Sequence, residues 1–140
     1  MGTTAHYEFF DHTADVGIRA TGSTLDAVFE QAARGLVELI AEQSRFEPAE
    51  ARSIELHAVD TSVLLATWLR ELLFWSATDR FLPAVYQIHV TPTTLVGTVR
   101  GERFDPARHQ QGREVKAITR HQLEIRQTPS GWHAQVIVDI

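Results

Sequence analysis

Leu25, Val28, Phe29, Ala32, Leu36, Leu39 and Ile40 recur at three- and four-residue spacing, the period of a helix with one buried face. The pattern predicts an amphipathic helix over residues 24–42, with Glu30, Gln31, Arg34, Glu38 and Glu42 on its polar side. Ser23 is the expected N-cap, and Asp26 three residues on can close a capping arrangement while favouring the helix dipole. A second helix over 62–78, capped by Asp60 or Thr61, is apolar nearly all round and so belongs in the core. Trp68 and Trp75 stand seven residues apart on it, which reads as core packing and not as a base-stacking platform. Short strands are expected at 7–10 and 16–20, either side of a polar turn. Ile54, Leu56 and Ala58 alternate with polar residues as a half-buried strand does. Two runs, 85–91 and 94–100, read as a hairpin around Pro92-Thr93, and the polar residues 101–113 as a loop. Runs at 115–119 and 122–127 then lead through Thr128-Pro129-Ser130-Gly131 into a last strand that keeps its alternation to Ile140. Strands clustered late and two long helices predict an α+β sandwich, a mainly antiparallel or mixed sheet packed by both helices.

Composition narrows the function classes. A chain of 140 residues suits a single domain, 1–140, and buries about two-thirds of its unfolded surface without a disulfide. The absence of cysteine removes disulfide scaffolds, zinc fingers, iron–sulfur sites and thiol catalysis together. No apolar run approaches the ~20 residues of a membrane span. The first residues lack the basic-then-apolar layout of a signal peptide, so a cytoplasmic protein without a membrane partner is expected. Net charge is −5, unevenly divided: 6 basic and 13 acidic residues in 1–80 give −7, while 7 and 5 in 81–140 give +2. That sign argues against a dedicated nucleic-acid binder. Arg100, Arg103, Arg108, Arg113 and Arg120 make the later loops locally basic, which reads first as a solvated rim and second as a surface for RNA or an acidic protein.

Chemistry concentrates in three places. The turn Asp11-His12-Thr13-Ala14-Asp15-Val16-Gly17 sets two carboxylates and an imidazole between apolar strands, although an Asx-type turn alone accounts for such a composition. The chain end offers the Asp139 side chain and the Ile140 α-carboxylate within a few ångströms. If Asp15 sits beside them, three negative charges converge. Two unit charges at about 4 Å and an effective dielectric near 20 repel by roughly 4 kcal/mol, so the cluster must take up protons or a cation. All-oxygen ligation favours calcium or magnesium. Lys116 is the only lysine among 13 basic residues, a compact ammonium where the chain otherwise uses Arg. His121 follows it and suits a surface position, or one behind the carboxylates alongside His12. No glycine-rich phosphate loop, nucleophile elbow or His-x-x-x-His helix is present. A small metal-dependent hydrolase using His12, Asp15, His121 and Asp139 is the enzymatic alternative, and a general chaperone or adaptor with a structural ion the non-enzymatic one.

Phe10-Asp11-His12-Thr13-Ala14-Asp15-Val16-Gly17-Ile18 resembles the opening signature of the archease family. Val115-Lys116-Ala117-Ile118-Thr119-Arg120-His121 is similar to its second signature, and Val138-Asp139-Ile140 matches its terminus. The resemblance spans essentially the whole chain. It implies a non-enzymatic protein cofactor of the RtcB-type RNA-splicing ligase, which joins 2′,3′-cyclic phosphate or 3′-phosphate ends to 5′-hydroxyl ends in tRNA splicing and RNA repair. That ligase first takes GMP onto its own histidine in a manganese-dependent step, and the cofactor promotes guanylylation and repeated turnover. RNA would be met only through the ligase. By the same resemblance a divalent cation, calcium, is held by Asp15, Asp139 and the terminal carboxylate of Ile140, and Lys116 is the lysine implicated in activity.

Overall fold

The structure, a computed structural model, describes residues 4–12 and 15–140, His12 by its backbone alone. In chain order the elements are β1 (His6–His12), β2 (Asp15–Gly22), α1 (Leu25–Ile40), β3 (Glu50–His57), α2 (Thr61–Asp79), β4 (Phe81–Val90), β5 (Thr94–Arg103), β6 (Ala117–Ile118), β7 (Glu124–Thr128) and β8 (Gly131–Asp139). The α+β expectation holds, with one refinement. The strands form two sheets, not one, and each pairing among the described residues is antiparallel, so no mixed sheet forms. The larger has the order β1-β2-β8-β6 with β7 also on β8; the smaller is β3-β5-β4. Each helix touches both sheets, which places the core between them.

Both helices begin where side-chain oxygen can take an orphan amide. Thr24, not Ser23, caps α1: its Oγ1 accepts from Ala27 N at 3.1 Å. Asp26 is spent elsewhere, accepting from Val90 N at 2.7 Å, so it pins the end of β4 to the helix and closes no capping box. Asp60 caps α2, accepting from Val63 N at 2.9 Å. Packing follows the sequence pattern. Val28, Phe29, Ala32 and Leu36 of α1 and Leu64, Leu65, Trp68 and Leu69 of α2 are fully buried, each large apolar side chain contributing roughly 1.5–3 kcal/mol. The one polar atom of Trp68 is satisfied, its Nε1–H donating to the Phe29 carbonyl at 3.0 Å and tying the helices together. No helix among the described residues is long and apolar enough to cross a membrane.

Helix α2 ends on Arg80 in the left-handed conformation (φ 60°, ψ 26°), its N–H bonded to the Trp75 carbonyl. Glycine takes this position most easily, and a side chain there costs roughly 1–2 kcal/mol. The Arg80 guanidinium lies 4.5 Å from the Phe104 ring centre.

The expected loop 101–113 holds from residue 104 onward and is shortened at its start. β5 runs on to Arg103, and the irregular residues after it form a strap across the end of α1. Gly112 N and Arg113 N donate to the last carbonyls of α1, Ile40 at 2.9 Å and Leu39 at 2.7 Å. Gly112 is required there because a Cβ would collide with the Leu39 carbonyl. His109 fastens the strap. Its Nδ1 accepts from Asp105 N at 2.8 Å, leaving Nε2–H to donate to the Arg45 carbonyl at 3.0 Å and to Glu102 at 3.1 Å. The ring is buried, 4.1 Å from Phe46 and 5.6 Å from Phe104 between centres.

Candidate functional site

The three segments singled out by chemistry meet at one end of the larger sheet. β8 lies between β2 and β6, so its last residues are held inside the sheet and not left as a frayed end. In the β2–β8 register Asp15 is directly opposite Asp139, and on the other side Ala117 is opposite Asp139. β1 extends the row: His12 is the register partner of Asp15. Thus His12, Asp15, Asp139 and Ala117 form one line across four strands. The side chain of His12, with Thr13 and Ala14 of the turn, lies outside the described residues.

Alternation decides which face the acids occupy. Val16, Ile18 and Ala20 of β2 and Ala134, Val136 and Val138 of β8 point into the core. Asp15 and Asp139 therefore take the opposite face, in company with Gly17 and Ile137. Gly17 is needed because Phe10 lies across it, and a Cβ would run into that ring. Arg19 in turn caps Phe10, its guanidinium carbon 4.0 Å from the ring centre. Directly opposed residues of an antiparallel pair have Cβ atoms ~4.5–5.5 Å apart, and like charges there destabilise the sheet. Both aspartates are half buried.

Lys116 reaches the same corner through the backbone, its N–H donating to the Asp139 carbonyl at 2.7 Å, one residue before the chain end. Its side chain is exposed and makes no ion pair among the described residues. β6 is shorter than the expected 115–119 run, with two residues paired. Thr119 prolongs the contact by donating from N and Oγ1 to the Ile137 carbonyl at 3.0 and 2.9 Å. His121 follows in an exposed turn, its N donating to Thr119 Oγ1 at 3.3 Å.

Among the described residues no three His, Cys, Asp or Glu side chains converge as a metal-holding group. Of the three residues expected to hold a cation, Asp15 and Asp139 are placed opposite each other and Ile140 follows Asp139 in the chain. Among the described residues the donors placed here are oxygens of two opposed aspartates, and they fit a hard divalent cation such as Ca²⁺ better than a soft one. A cleft of about 160 Å³ beside the corner is lined by Asp11, Val16 and Arg113, and others are lined by residues further away, one of about 280 Å³ by Leu73, Arg80 and Phe104 and one of about 450 Å³ by Tyr7, Arg34 and Tyr86.

The later arginines divide. Arg108 is bound by Glu102 and Asp105, and Arg103 is drawn to Glu50 and Asp79, so these two brace the fold. Glu102 accepts from Arg108 through two bonds, at 3.1 and 2.9 Å, and from Glu47 N at 3.0 Å. This holds its carboxyl down at about 2. Sequence reasoning missed this cluster and the His109 fastening; the one available hint was a histidine set between aromatic and acidic neighbours in an otherwise polar run.

The chain matches the model of the archease protein family (MTH1598/TM1083) over residues 7–140. It is 39% identical over 136 residues to the protein archease of Saccharolobus islandicus and 35% identical to that of Sulfurisphaera tokodaii, each alignment covering 96% of this chain and 98% of the relative. The solution structure of Methanobacterium thermoautotrophicum protein 1598 superposes with a TM-score of 0.82 at 37% identity, over 96% of this chain and 98% of that one. The crystal structure of an archease from Thermotoga maritima, described as a possible chaperone, shares the fold with a TM-score of 0.66 at 20% identity, over 94% of both chains. With two signature segments and the chain end brought to one corner of a fold shared with these proteins, the chain belongs to the archease family.

Proposed function

We propose that this protein is a non-enzymatic activator of an RtcB-type RNA ligase, promoting its guanylylation with GTP and its multiple turnover in tRNA splicing or RNA repair. The observation that supports the reading is the direct opposition of Asp15 and Asp139 at the end of a central strand, with Ile140 and Lys116 adjoining. Asp15, Asp139 and the Ile140 carboxylate would hold a divalent cation, calcium by the hardness of the donors. When bound, the ion supplies positive charge that offsets the opposed carboxylates and can be shared with an acidic or phosphate-bearing group. β2, β8 and β6 fix the three segments through main-chain bonds, so the corner is presented as a rigid tip. Lys116, outside the pair, offers an ammonium to phosphate or carboxylate of the ligase. RNA is met through the ligase alone. No titratable residue needs to transfer a proton in this scheme.

The test is multiple-turnover ligation of RNA ends bearing 2′,3′-cyclic phosphate and 5′-hydroxyl, with the cognate ligase, GTP and manganese. Substoichiometric protein should stimulate turnover, and Asp15→Ala should abolish the stimulation while leaving the far-UV circular dichroism unchanged. The Thermotoga maritima relative's description as a possible chaperone supports a second reading, a general chaperone. Suppression of aggregation of unrelated proteins without any effect on the ligase would favour that reading over ours.

A further inference from the structure

We propose that the cleft between the C-terminal half of α2 and the strap is a second docking site, for a partner-protein segment that carries an apolar side chain flanked by carboxylates. Leu73, Leu82 and Phe104 supply its apolar lining, and Arg80, Arg113 and Glu114 its charges, in a volume of about 280 Å³. Two observations choose the occupant. First, neither Arg80 nor Arg113 makes an ion pair among the described residues, whereas Arg34, Arg52, Arg103, Arg108 and Arg126 do. Asp79, next to Arg80 in sequence, is engaged by Arg52 and Arg103 instead. The cleft thus carries two guanidinium groups against one carboxylate on the wall of a protein whose net charge is −5.

Second, the Arg80 guanidinium is held in place at the cleft wall. The left-handed position ending α2 favours glycine, yet it holds Arg80, whose guanidinium is laid over Phe104. Observed strain of this kind points towards use of the side chain that bears it. Phe74, next to Leu73 in the chain, stands 59% exposed on α2 and is a further apolar side chain open to a partner. Arg113, Glu114 and Val115 line the cleft immediately before Lys116, which places the site beside the acidic corner by chain connection. The two surfaces are opposite in charge: the corner would bind through a cation, the cleft through its arginines. As a contact for the ligase the inference rests on the proposed function; as a peptide site it does not.

The experiment uses the full chain with two probes. One is a blocked hexapeptide with Leu-Phe at its centre and two acidic residues on each side, followed by heteronuclear NMR; the other is the cognate ligase, followed by calorimetry. The acidic peptide should shift the Arg80, Phe104 and Arg113 signals, with binding weakened at least fivefold by 0.5 M salt and lost when lysines replace its acids. Arg80→Gly relieves the backbone, so its melting temperature should equal or exceed that of the parent while affinity for both probes falls at least fivefold. Arg113→Gln should do the same to affinity. Unchanged peptide binding in a stable Arg80→Gly variant overturns the site, as does an absence of shifts. Equally tight binding of phenylacetate alone overturns the peptide assignment in favour of a small-molecule site. If Asp15→Asn abolishes ligase binding and Arg80→Gly does not affect it, the proposed function stands and the second site falls. If the ligase does not bind at all while the acidic peptide does, the reverse holds.

Discussion

Replacing Glu102 by Gln should loosen the strap that leads to Lys116, and its effect can be sized from the contacts. The substitution keeps the shape but removes the charge that accepts two bonds from Arg108, one from Glu47 N and one from His109. The carboxyl, ordinarily near 4.5, is held at about 2 in the fold, first by the Arg108 hydrogen bonds and then by the Glu47 amide. A displacement of this size corresponds to roughly 3 kcal/mol of preference for the charged form. Arg108 is half exposed, so solvent screens the pair and about 1–2 kcal/mol is the expected loss at pH 7. The sign follows from linkage. A carboxyl lowered on folding contributes stability above its unfolded value and loses it as pH falls towards the folded one, here from about 4.5 to about 2. Urea unfolding of parent and Glu102→Gln proteins at pH 7 and pH 3 should therefore show a gap that shrinks by more than half at the lower pH. Hydrogen exchange at pH 7 should accelerate at the Gly112, Arg113 and Lys116 amides and leave the Trp68 region unchanged. Equal stability of the two proteins at pH 7 would falsify the account, and so would a gap that persists at full size at pH 3.

Further outcomes are expected from the same geometry. Gly17→Val drives a branched side chain into Phe10 and should cost about 1–3 kcal/mol in chemical denaturation; a smaller loss would mean that Phe10 swings clear. A short extension after Ile140 removes the terminal carboxylate and should weaken calcium binding at least tenfold by calorimetry, with the melting temperature in chelator unchanged; unaltered affinity would exclude the chain end as a ligand. Asp26→Asn keeps an acceptor for Val90 N but loses the charged bond, and a loss of about 1 kcal/mol is expected by thermal unfolding.

How much of this was legible beforehand depended on the range of the interaction. Periodicity is local, so both helices and their buried faces could be read directly: Leu36 and Trp68 fall where a 3.6-residue repeat places them. The N-cap differed by one residue because Ser23 and Thr24 have equivalent chemistry, and only the position of the Ala27 amide separates them. Asp26 shows the same limit from the other side, since its partner Val90 is 64 residues away. The division into two sheets was not legible, because alternation marks which face is buried and says nothing of which strand is the neighbour.

The candidate site lies at the boundary between these two kinds of information. Its acidic members were conspicuous by type, but whether Asp15 meets Asp139 is a question of register across 124 positions of chain. Here the hydrophobic pattern does part of the work. Val16, Ile18 and Ala20 must face the core together with Ala134, Val136 and Val138, so a slip of one residue between β2 and β8 would expose one set. Registers two residues apart remain allowed by that pattern; Phe10 over Gly17 fixes the neighbouring β1–β2 register, and the β2–β8 register that pairs Asp15 with Asp139 is set by the fold as a whole. Apolar packing on the other face of the sheet thus puts both aspartates on the outward face, and the observed register puts them opposite each other. Nothing about the acids themselves is needed to bring them together. A carboxylate pair placed by the core behind it would stay intact without a cation and would gain stability when positive charge arrived, which is what the proposed role asks of this corner.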